Sequence, residues 1–207
     1  MSLQIVIPMA GRGARFSRSG FEIPKPLIQV LPGRLMVDLV IDYLTLKEPH
    51  RFIFVCRTDQ VKAFDLDEHF AKRVKDFRIV TTDRITRGPA CTALLATRYI
   101  DNIDPLIIAY CDDYLDIHLS GHLKAWRAQD ADGGVLTYLS ESLSNSYALC
   151  AKDGRVLRTA EKELISRRAT AGMYYFKQGK MFVKAARRMI RRGRTARGEF
   201  FVCPAYN

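Results

Sequence analysis

Glycine, arginine, lysine and proline are concentrated in the first loop of this chain, IPMAGRGARFSRSGFEIPKPLIQV at residues 7–30. The loop follows LQIVIPM (residues 3–9), a short apolar run with β-branched residues that predicts a buried strand. A strand that leads into glycines often binds phosphate, because glycine lets backbone N–H groups approach the anion. The loop is therefore a candidate phosphate site.

Two familiar phosphate-binding patterns do not fit this loop. It contains no G-x-x-x-x-G-K-[ST], and its G-x-G pattern stops at Gly11 and Gly13, so G-x-G-x-x-G is absent as well. What remains is G-x-G-x-R, which ends at Arg15, followed by the P-K-P run at 24–26. Proline fixes its own φ and restricts the residue before it, so the two prolines hold the backbone of Lys25 nearly rigid. A lysine held in this way is suited to meet a phosphate, whereas the alternative is an extended loop with a solvated lysine.

Alternating strands and helices must position this loop. Strands are predicted at 3–9, 51–57, 77–82 and 105–111, and helices at 35–46, 89–100 and 119–129. The run at 105–111 is apolar almost throughout, which is typical of a central strand covered on both faces. The alternation predicts an α/β fold with a Rossmann-like, mostly parallel twisted sheet and helices on both faces.

The alternation of predicted strands and helices ends after Gly133. Short strands separated by turn signals are predicted at 133–140, 147–152, 156–161 and 170–177, followed by a basic helix at 181–192. No Pro/Gly linker interrupts the chain. One domain over 1–207 is therefore expected, with a nucleotide-binding half at 1–130 and a half for a second substrate at 131–207.

Composition narrows the class of protein. The net charge is +11, and residues 177–197 carry nine Lys and Arg with no acid among them. Such charge favours nucleic acid, an anionic surface or a phosphorylated substrate as partner. The five cysteines are scattered without a CxxC pair, which argues against a zinc site or a disulfide framework. No apolar run approaches the ~20 residues of a membrane span, and the start lacks a charged signal region, so a cytoplasmic protein is expected.

Four segments together resemble the sugar-1-phosphate nucleotidyltransferases: MAGRGARF, IPKPLI, YCDDY and GEFFVCPAYN. The similarity covers essentially the whole chain in order, and it specifies neither base nor sugar. It implies Mg²⁺-dependent transfer of a nucleotidyl group from a nucleoside triphosphate to a sugar 1-phosphate, with release of pyrophosphate. It also implies a role in cell-surface polysaccharide synthesis. No nucleic acid partner and no membrane insertion are expected, and a homo-oligomer is compatible with it.

The resemblance assigns roles residue by residue. Arg15 would contact the departing phosphates and Lys25 the α-phosphate, as the catalytic pair. The nucleotide would be bound by Ala10, Gly11, Gly13, Ala14, Gly88, Pro89, Ala90 and Thr92. The sugar phosphate would be bound by Glu161, Lys162, Thr170, Ala171 and Gly172. Asp112 would hold the metal ion, with Asp113 as the fallback. Many members carry Thr or Ser where this chain has Ala14, so a hydroxyl contact is lost there.

One feature of the family is not matched. Its members usually supply a second metal ligand, Asp or Asn, from a strand that would lie beyond Asn207. Within the chain, Asn207 and Glu199 are the candidates for that place.

Three alternatives compete with this interpretation. A phosphocholine or polyol-phosphate cytidylyltransferase shares the fold and would depend on CTP. A glycosyltransferase would carry a D-x-D after a central strand, and the run at 111–114 is Cys-Asp-Asp-Tyr. A nucleic-acid-binding module could use the basic segment at 177–197, but no aromatics are interleaved with those charges as stacking platforms.

Overall fold

A computed structural model describes residues 2–11 and 23–207 of the protein. Its strands are β1 (Leu3–Pro8), β2 (Gln29–Leu31), β3 (Arg34–Leu35), β4 (His50–Arg57), β5 (Phe77–Thr82), β6 (Leu106–Ala109), β7 (Gly133–Leu139), β8 (Ser146–Cys150), β9 (Val156–Glu161) and β10 (Arg168–Phe176). Its α-helices are α1 (Met36–Leu44), α2 (Thr58–Ala63), α3 (Leu66–Ala71), α4 (Pro89–Leu94), α5 (Thr97–Ile100), α6 (Leu119–Ala128) and α7 (Gly179–Arg191). Short 3₁₀ turns span Lys25–Leu27 and Cys203–Tyr206.

One large sheet organises the described residues. Its order is β5-β4-β1-β6-β10-β8-β9, with β7 paired to β10, which makes eight strands. The block β5-β4-β1-β6 is parallel, and each of its connections contains a helix. The pairs that involve β7 to β10 are antiparallel. The predicted α/β class is confirmed. Every antiparallel pair of this large sheet includes at least one strand from Gly133 onward, where the alternation of strands and helices ends in the sequence.

Helices cover both faces of this sheet, as predicted. Because side chains alternate along a strand, Ile5 and Ile7 of β1 enter one core with α1, α3 and α6. Val6 enters the other core with α4, α5 and α7. Every residue of β1 is buried, which is why its sequence is apolar nearly throughout.

Two predicted boundaries are wrong. The single helix expected at 89–100 is divided into α4 and α5, because Leu95 and Ala96 donate their N–H groups three residues back instead of four. The central strand expected at 105–111 ends at Ala109. Tyr110 and Cys111 therefore lie beyond the strand, with Cys111 in the same turn as Asp112.

A buried carboxylate anchors helix α1. Asp38 accepts the backbone N–H of Leu35 at 2.8 Å, and its other oxygen lies 2.7 Å from Nε2 of His69 on α3. Arg73 approaches the same carboxylate at 3.2 Å. Asp38 has no exposed surface, so these partners offset the cost of burying its charge. They fix α1, which carries Tyr43 towards the end of β6.

Among the helices of residues 2–11 and 23–207, none has the length and apolar character needed to cross a lipid bilayer.

Candidate active site

The described ends of the first loop, at residues 10–11 and 23–25, lie at the same edge of the sheet as Asp112. β1 and β6 are adjacent parallel strands, so their carboxyl ends open onto one crevice, the usual ligand position in α/β sheets. Ala10 is fully buried just after β1. Gly11 is exposed, and no atom of the described residues lies within 4 Å of where its Cβ would stand. Backbone at Gly11 is thus open to a ligand.

Three predicted residues of the loop fall outside the described residues: Gly13, Ala14 and Arg15. Their contacts with a triphosphate stay predictions.

Lys25 and Asp112 form an ion pair at this edge. Nζ of Lys25 lies 2.6 Å from Oδ2 of Asp112, although 87 positions separate the two residues. The 3₁₀ turn at Lys25–Leu27 is closed by the N–H of Leu27, which donates to Pro24 O at 2.8 Å. Both side chains keep about a third of their surface exposed, 31% for Lys25 and 30% for Asp112. The fold therefore brings the predicted phosphate lysine and the predicted metal ligand together and leaves both accessible.

Asp113 is a second, partly buried carboxylate next to Asp112. Burial and then the charge of Asp112 raise the pKa of Asp113 to about 6, and Lys25 opposes that rise. Among the described residues, no hydrogen bond or ion pair reaches its carboxylate. Gly172 makes room for it: its φ is +65°, and a Cβ there would stand 1.9 Å from Oδ2 of Asp113. The fold thus packs a poorly compensated carboxylate beside Asp112.

The oxygen donors at this position fit Mg²⁺. Magnesium in nucleotide enzymes is commonly held by one or two carboxylates and completed by water and substrate phosphates. Two adjacent carboxylates that repel each other, one of them without a hydrogen-bonding partner, suit a divalent cation. Within the described residues no cluster of three or more His, Cys, Asp or Glu side chains could hold an ion by itself. Asp112 and Asp113 would therefore depend on phosphate oxygens to complete the shell.

Replacing Asp113 by asparagine should stabilise the protein at neutral pH when divalent ions are absent. The pKa of this carboxyl rises from 3.8 to about 6 on folding, so its contribution to stability is complete at low pH and is lost as the pH rises through 6. We expect the free energy of unfolding of Asp113→Asn to exceed that of the wild type by about 3 kcal/mol at pH 8 and to lie close to it near pH 4. Urea unfolding in EDTA at both pH values measures this. A wild type as stable as the variant at pH 8 would contradict it.

The predicted base-binding turn is locked by Phe200. Gly88 has φ +111°, and a Cβ on it would stand 2.6 Å from the carbonyl oxygen of Phe200. The same carbonyl accepts the N–H of Ala90 at 3.0 Å, and the N–H of Phe200 donates to Arg87 O at 2.8 Å. Pro89 begins α4, and the hydroxyl of Thr92 donates to Gly88 O at 3.2 Å. The turn is held rigidly, and its contact with a base stays a prediction.

Glu161 and Lys162 form a second lysine–carboxylate pair, at the end of β9. Their side chains are 4% and 16% exposed, and Nζ lies 3.2 Å from Oε1. Ser146, opposite Glu161 on β8, donates its hydroxyl to the other carboxylate oxygen. Burial raises the pKa of Glu161, and the bonds from Ser146 and Lys162 reduce the shift. The sequence left open that this was an exposed ion pair of little energetic value; the pair is not exposed.

The remaining residues predicted for the sugar phosphate lie on β10. Gly172 faces Asp113, and its carbonyl accepts the N–H of Tyr110 at 2.9 Å, which joins β10 to the end of β6. Thr170 is buried, with its hydroxyl 3.0 Å from that of Tyr174. Ala171 is partly exposed between them. Gly172 therefore lies at the candidate metal position, whereas the Thr170 hydroxyl is already engaged inside the protein.

Sequence reasoning missed Phe201. The ammonium of Lys162 lies 3.7 Å from the centre of the Phe201 ring, close enough for a cation–π contact. Its signal in the sequence is the repeated phenylalanine of GEFFVC, part of the segment that resembles the family, and this pattern by itself indicates no role for either ring.

A cavity of about 390 Å³ opens beside Glu161, and its wall includes Arg158, Arg194 and Asn207. Asn207 was a candidate for the second metal ligand. Its amide instead pairs with the backbone of Thr159, accepting the N–H and donating to the carbonyl, both at 2.9 Å. Glu199 is exposed in a short turn between α7 and Phe200. A metal role for either residue stays a prediction.

Comparison with known families decides the class of protein. The family model described as "Nucleotidyl transferase" matches residues 5–202. The chain belongs to the nucleotidyl transferase family. The resemblance to the sugar-1-phosphate nucleotidyltransferases is confirmed, and this nucleotidyl transferase is an enzyme. No curated protein sequence gives a significant match.

Solved structures agree with this assignment. A nucleoside-diphosphate-sugar pyrophosphorylase from Vibrio cholerae RC9 is 25% identical, with a TM-score of 0.77 over 98% of this chain and 86% of that one. A UDP-glucose pyrophosphorylase complexed with UDP-glucose is 14% identical, with a TM-score of 0.78 over 100% and 86%. An inositol-1-phosphate CTP transferase from T. maritima is 14% identical, with a TM-score of 0.69 over 100% and 80%. The last two show the fold alone.

Proposed function

We propose that this nucleotidyl transferase joins a nucleoside triphosphate to a sugar 1-phosphate, giving a nucleoside diphosphate sugar and pyrophosphate. The observation that carries the proposal is the pair of lysine–carboxylate contacts, one in each half of the sheet. Lys25 and Asp112 meet beside the phosphate loop at 2.6 Å, and Glu161 and Lys162 pair at 3.2 Å on β9. Two anionic substrates that must react with each other need two cationic positions.

The proposed reaction requires no covalent bond to the protein. A phosphate oxygen of the sugar 1-phosphate attacks the α-phosphorus, the new P–O bond forms, and the bond to the β-phosphate oxygen breaks with departure of pyrophosphate. Positioning and charge stabilisation then account for catalysis. Lys25 would stabilise the negative charge on the α-phosphate, and Arg15 would bind the departing pyrophosphate.

The acceptor side would be held by the pair on β9. Lys162 would bind the phosphate of the sugar 1-phosphate, and Glu161 would accept hydrogen bonds from sugar hydroxyls. Asp112, with Asp113 beside it, would hold Mg²⁺, which supplies charge neutralisation at the phosphates when bound. Gly88, Pro89 and Ala90 would receive the base.

The proposed role of the product is supply of an activated sugar for cell-surface polysaccharide synthesis. The Vibrio cholerae structure, a nucleoside-diphosphate-sugar pyrophosphorylase at 25% identity, supports a sugar as the acceptor. The similarity in fold to an inositol-1-phosphate CTP transferase favours a second candidate, a cytidylyltransferase acting on a polyol phosphate.

The test is a matrix of donors and acceptors with Mg²⁺ present. Pyrophosphate release is measured with ATP, CTP, GTP, UTP and dTTP against the 1-phosphates of glucose, galactose and mannose, and against inositol 1-phosphate and phosphocholine. We expect release that depends on a sugar 1-phosphate. Release with CTP and only inositol 1-phosphate or phosphocholine would support the second candidate instead, and no release with any pair would overturn both.

A matched pair of lysine variants assigns the acceptor side. Lys162→Met should raise the KM for the sugar 1-phosphate by roughly 10- to 100-fold and leave the KM for the triphosphate within about twofold. Lys152 is an exposed lysine in the turn between β8 and β9, and Lys152→Met should leave both constants unchanged. An unchanged KM in Lys162→Met would remove Lys162 from the proposed site.

A further inference from the structure

Residues 196–201, here called the linking segment, connect α7 to the last 3₁₀ turn. Ala196 and Glu199 exchange two backbone hydrogen bonds of 3.0 Å each, which close a two-residue turn. Arg197 and Gly198 at its tip have φ of +50° and +82°. Two consecutive positive φ values are the mark of a tight type I′ hairpin turn, which fixes the direction of the chain that follows. Phe200 and Phe201 leave this turn.

Phe200 contacts the nucleotide half. Its ring is 2% exposed in the core, and its backbone bonds to Arg87 and Ala90 hold the turn at Gly88. Both contacts are main-chain hydrogen bonds, so Phe200 and the turn at Gly88 fix each other's position.

Phe201 contacts the acceptor half. Its ring is partly exposed and lies against the ammonium of Lys162, with 3.7 Å from Nζ to the ring centre. Oε1 of Glu161 lies 3.2 Å from the same ammonium. The backbone of Lys162 has φ +56°, in the left-handed region that residues other than glycine rarely adopt, and its N–H donates to Asn145 O at 2.9 Å. An unusual backbone conformation and two side-chain partners thus hold one lysine in place.

We propose that Phe201 is a positioning residue that fixes Lys162 for the sugar phosphate. Glu161 alone would hold the ammonium by charge, without restricting the direction of approach. The ring face closes one side of the ammonium, so its remaining N–H donors are directed to the open side. Phe200, the residue before Phe201, is hydrogen-bonded to the Gly88 turn. The linking segment therefore also sets where the Lys162 ammonium would stand relative to the nucleotide. The inference rests on the proposed function of Lys162.

The test compares three substitutions by their effect on each substrate. Phe201→Leu removes the aromatic face and keeps apolar volume, whereas Phe201→Tyr keeps the face. We expect Phe201→Leu to raise the KM for the sugar 1-phosphate by roughly tenfold, with kcat and the KM for the triphosphate within about twofold. Phe201→Tyr should stay near the wild type. Tyr99→Leu is the matched control, because it removes the ring under Arg98, 4.5 Å away, outside the candidate site.

Direct binding separates this inference from the proposed function. Calorimetry measures the affinity of glucose, galactose and mannose 1-phosphates for the wild type, Lys162→Met, Phe201→Leu and the double variant. The losses in the double variant should fall short of the sum, because Phe201 acts through Lys162. If Phe201→Leu does not fold, Phe201→Met takes its place.

Each outcome decides something. Weaker binding in Lys162→Met with wild-type binding in Phe201→Leu overturns the role of Phe201 and keeps that of Lys162. Additive losses, or equal losses for triphosphate and sugar phosphate in Phe201→Leu, show a purely structural phenylalanine and also overturn it. If the wild type binds none of the three 1-phosphates, the proposed function and this inference fail together.

Discussion

Replacing Lys25 by methionine should lower kcat/KM by about 10²- to 10³-fold, the usual cost of losing one donor aimed at charge that develops during reaction. The Lys25 side chain is about a third exposed at the carboxyl edge of the sheet, and its Nζ lies 2.6 Å from Oδ2 of Asp112. In the proposed reaction, Lys25 is the lysine whose ammonium contacts the α-phosphate, and Lys162 is assigned to the other substrate. The measurement is pyrophosphate release with the best substrate pair, together with the thermal midpoint of the variant.

Lys177→Met is the matched control for this change. Lys177 also pairs with an aspartate at 2.7 Å, Asp130, but it lies at the end of β10 away from the crevice. The Lys177→Met variant should therefore keep wild-type turnover. Full turnover in Lys25→Met would refute the assignment. Combining Lys25→Met with Asp112→Asn should give a loss smaller than the product of the two, because both groups act at one place.

Gly88→Ala should destabilise the protein by roughly 3–5 kcal/mol and weaken binding of the triphosphate. Two costs add at this position. The φ of +111° belongs to a region that is nearly exclusive to glycine, and a Cβ would stand 2.6 Å and 2.7 Å from the backbone oxygen and nitrogen of Phe200. Neither backbone atom can move without breaking the bonds that hold the start of α4. Urea unfolding and calorimetric titration with the triphosphate measure the two effects.

Gly33→Ala measures the cost of left-handed backbone conformation without the steric clash that a Cβ would make at Gly88. Gly33 also has positive φ, +68°, but no described atom lies within 4 Å of its Cβ position. It should cost only about 1–2 kcal/mol, the price of left-handed backbone alone. Equal losses of stability in Gly33→Ala and Gly88→Ala would contradict the conclusion that Phe200 holds the turn at Gly88 rigidly.

Local pattern was enough for most of the fold. The central parallel strands β1 and β6 are apolar nearly throughout because both of their faces are covered. In the basic helix α7 the buried residues Phe182, Val183, Ala186 and Met189 recur at the spacing of one helix face. Turn residues marked the change to antiparallel strands after Gly133. The boundaries that failed, at Leu95 and at Ala109, depend on how a helix end or a strand end meets its neighbours, and those neighbours are distant in sequence.

The same distinction between local sequence pattern and tertiary contact applies to the candidate site. The sequence by itself determined the chemical types at the site: glycines after β1, a lysine fixed between prolines, adjacent carboxylates after β6 and a Glu-Lys pair on β9. Tertiary structure decided which of these meet. It paired Lys25 with Asp112, packed Asp113 against Gly172, and placed Phe200 against the turn at Gly88 and Phe201 against Lys162. These outcomes depend on sheet order and burial, and side chains 87 positions apart carry no local signal of their contact.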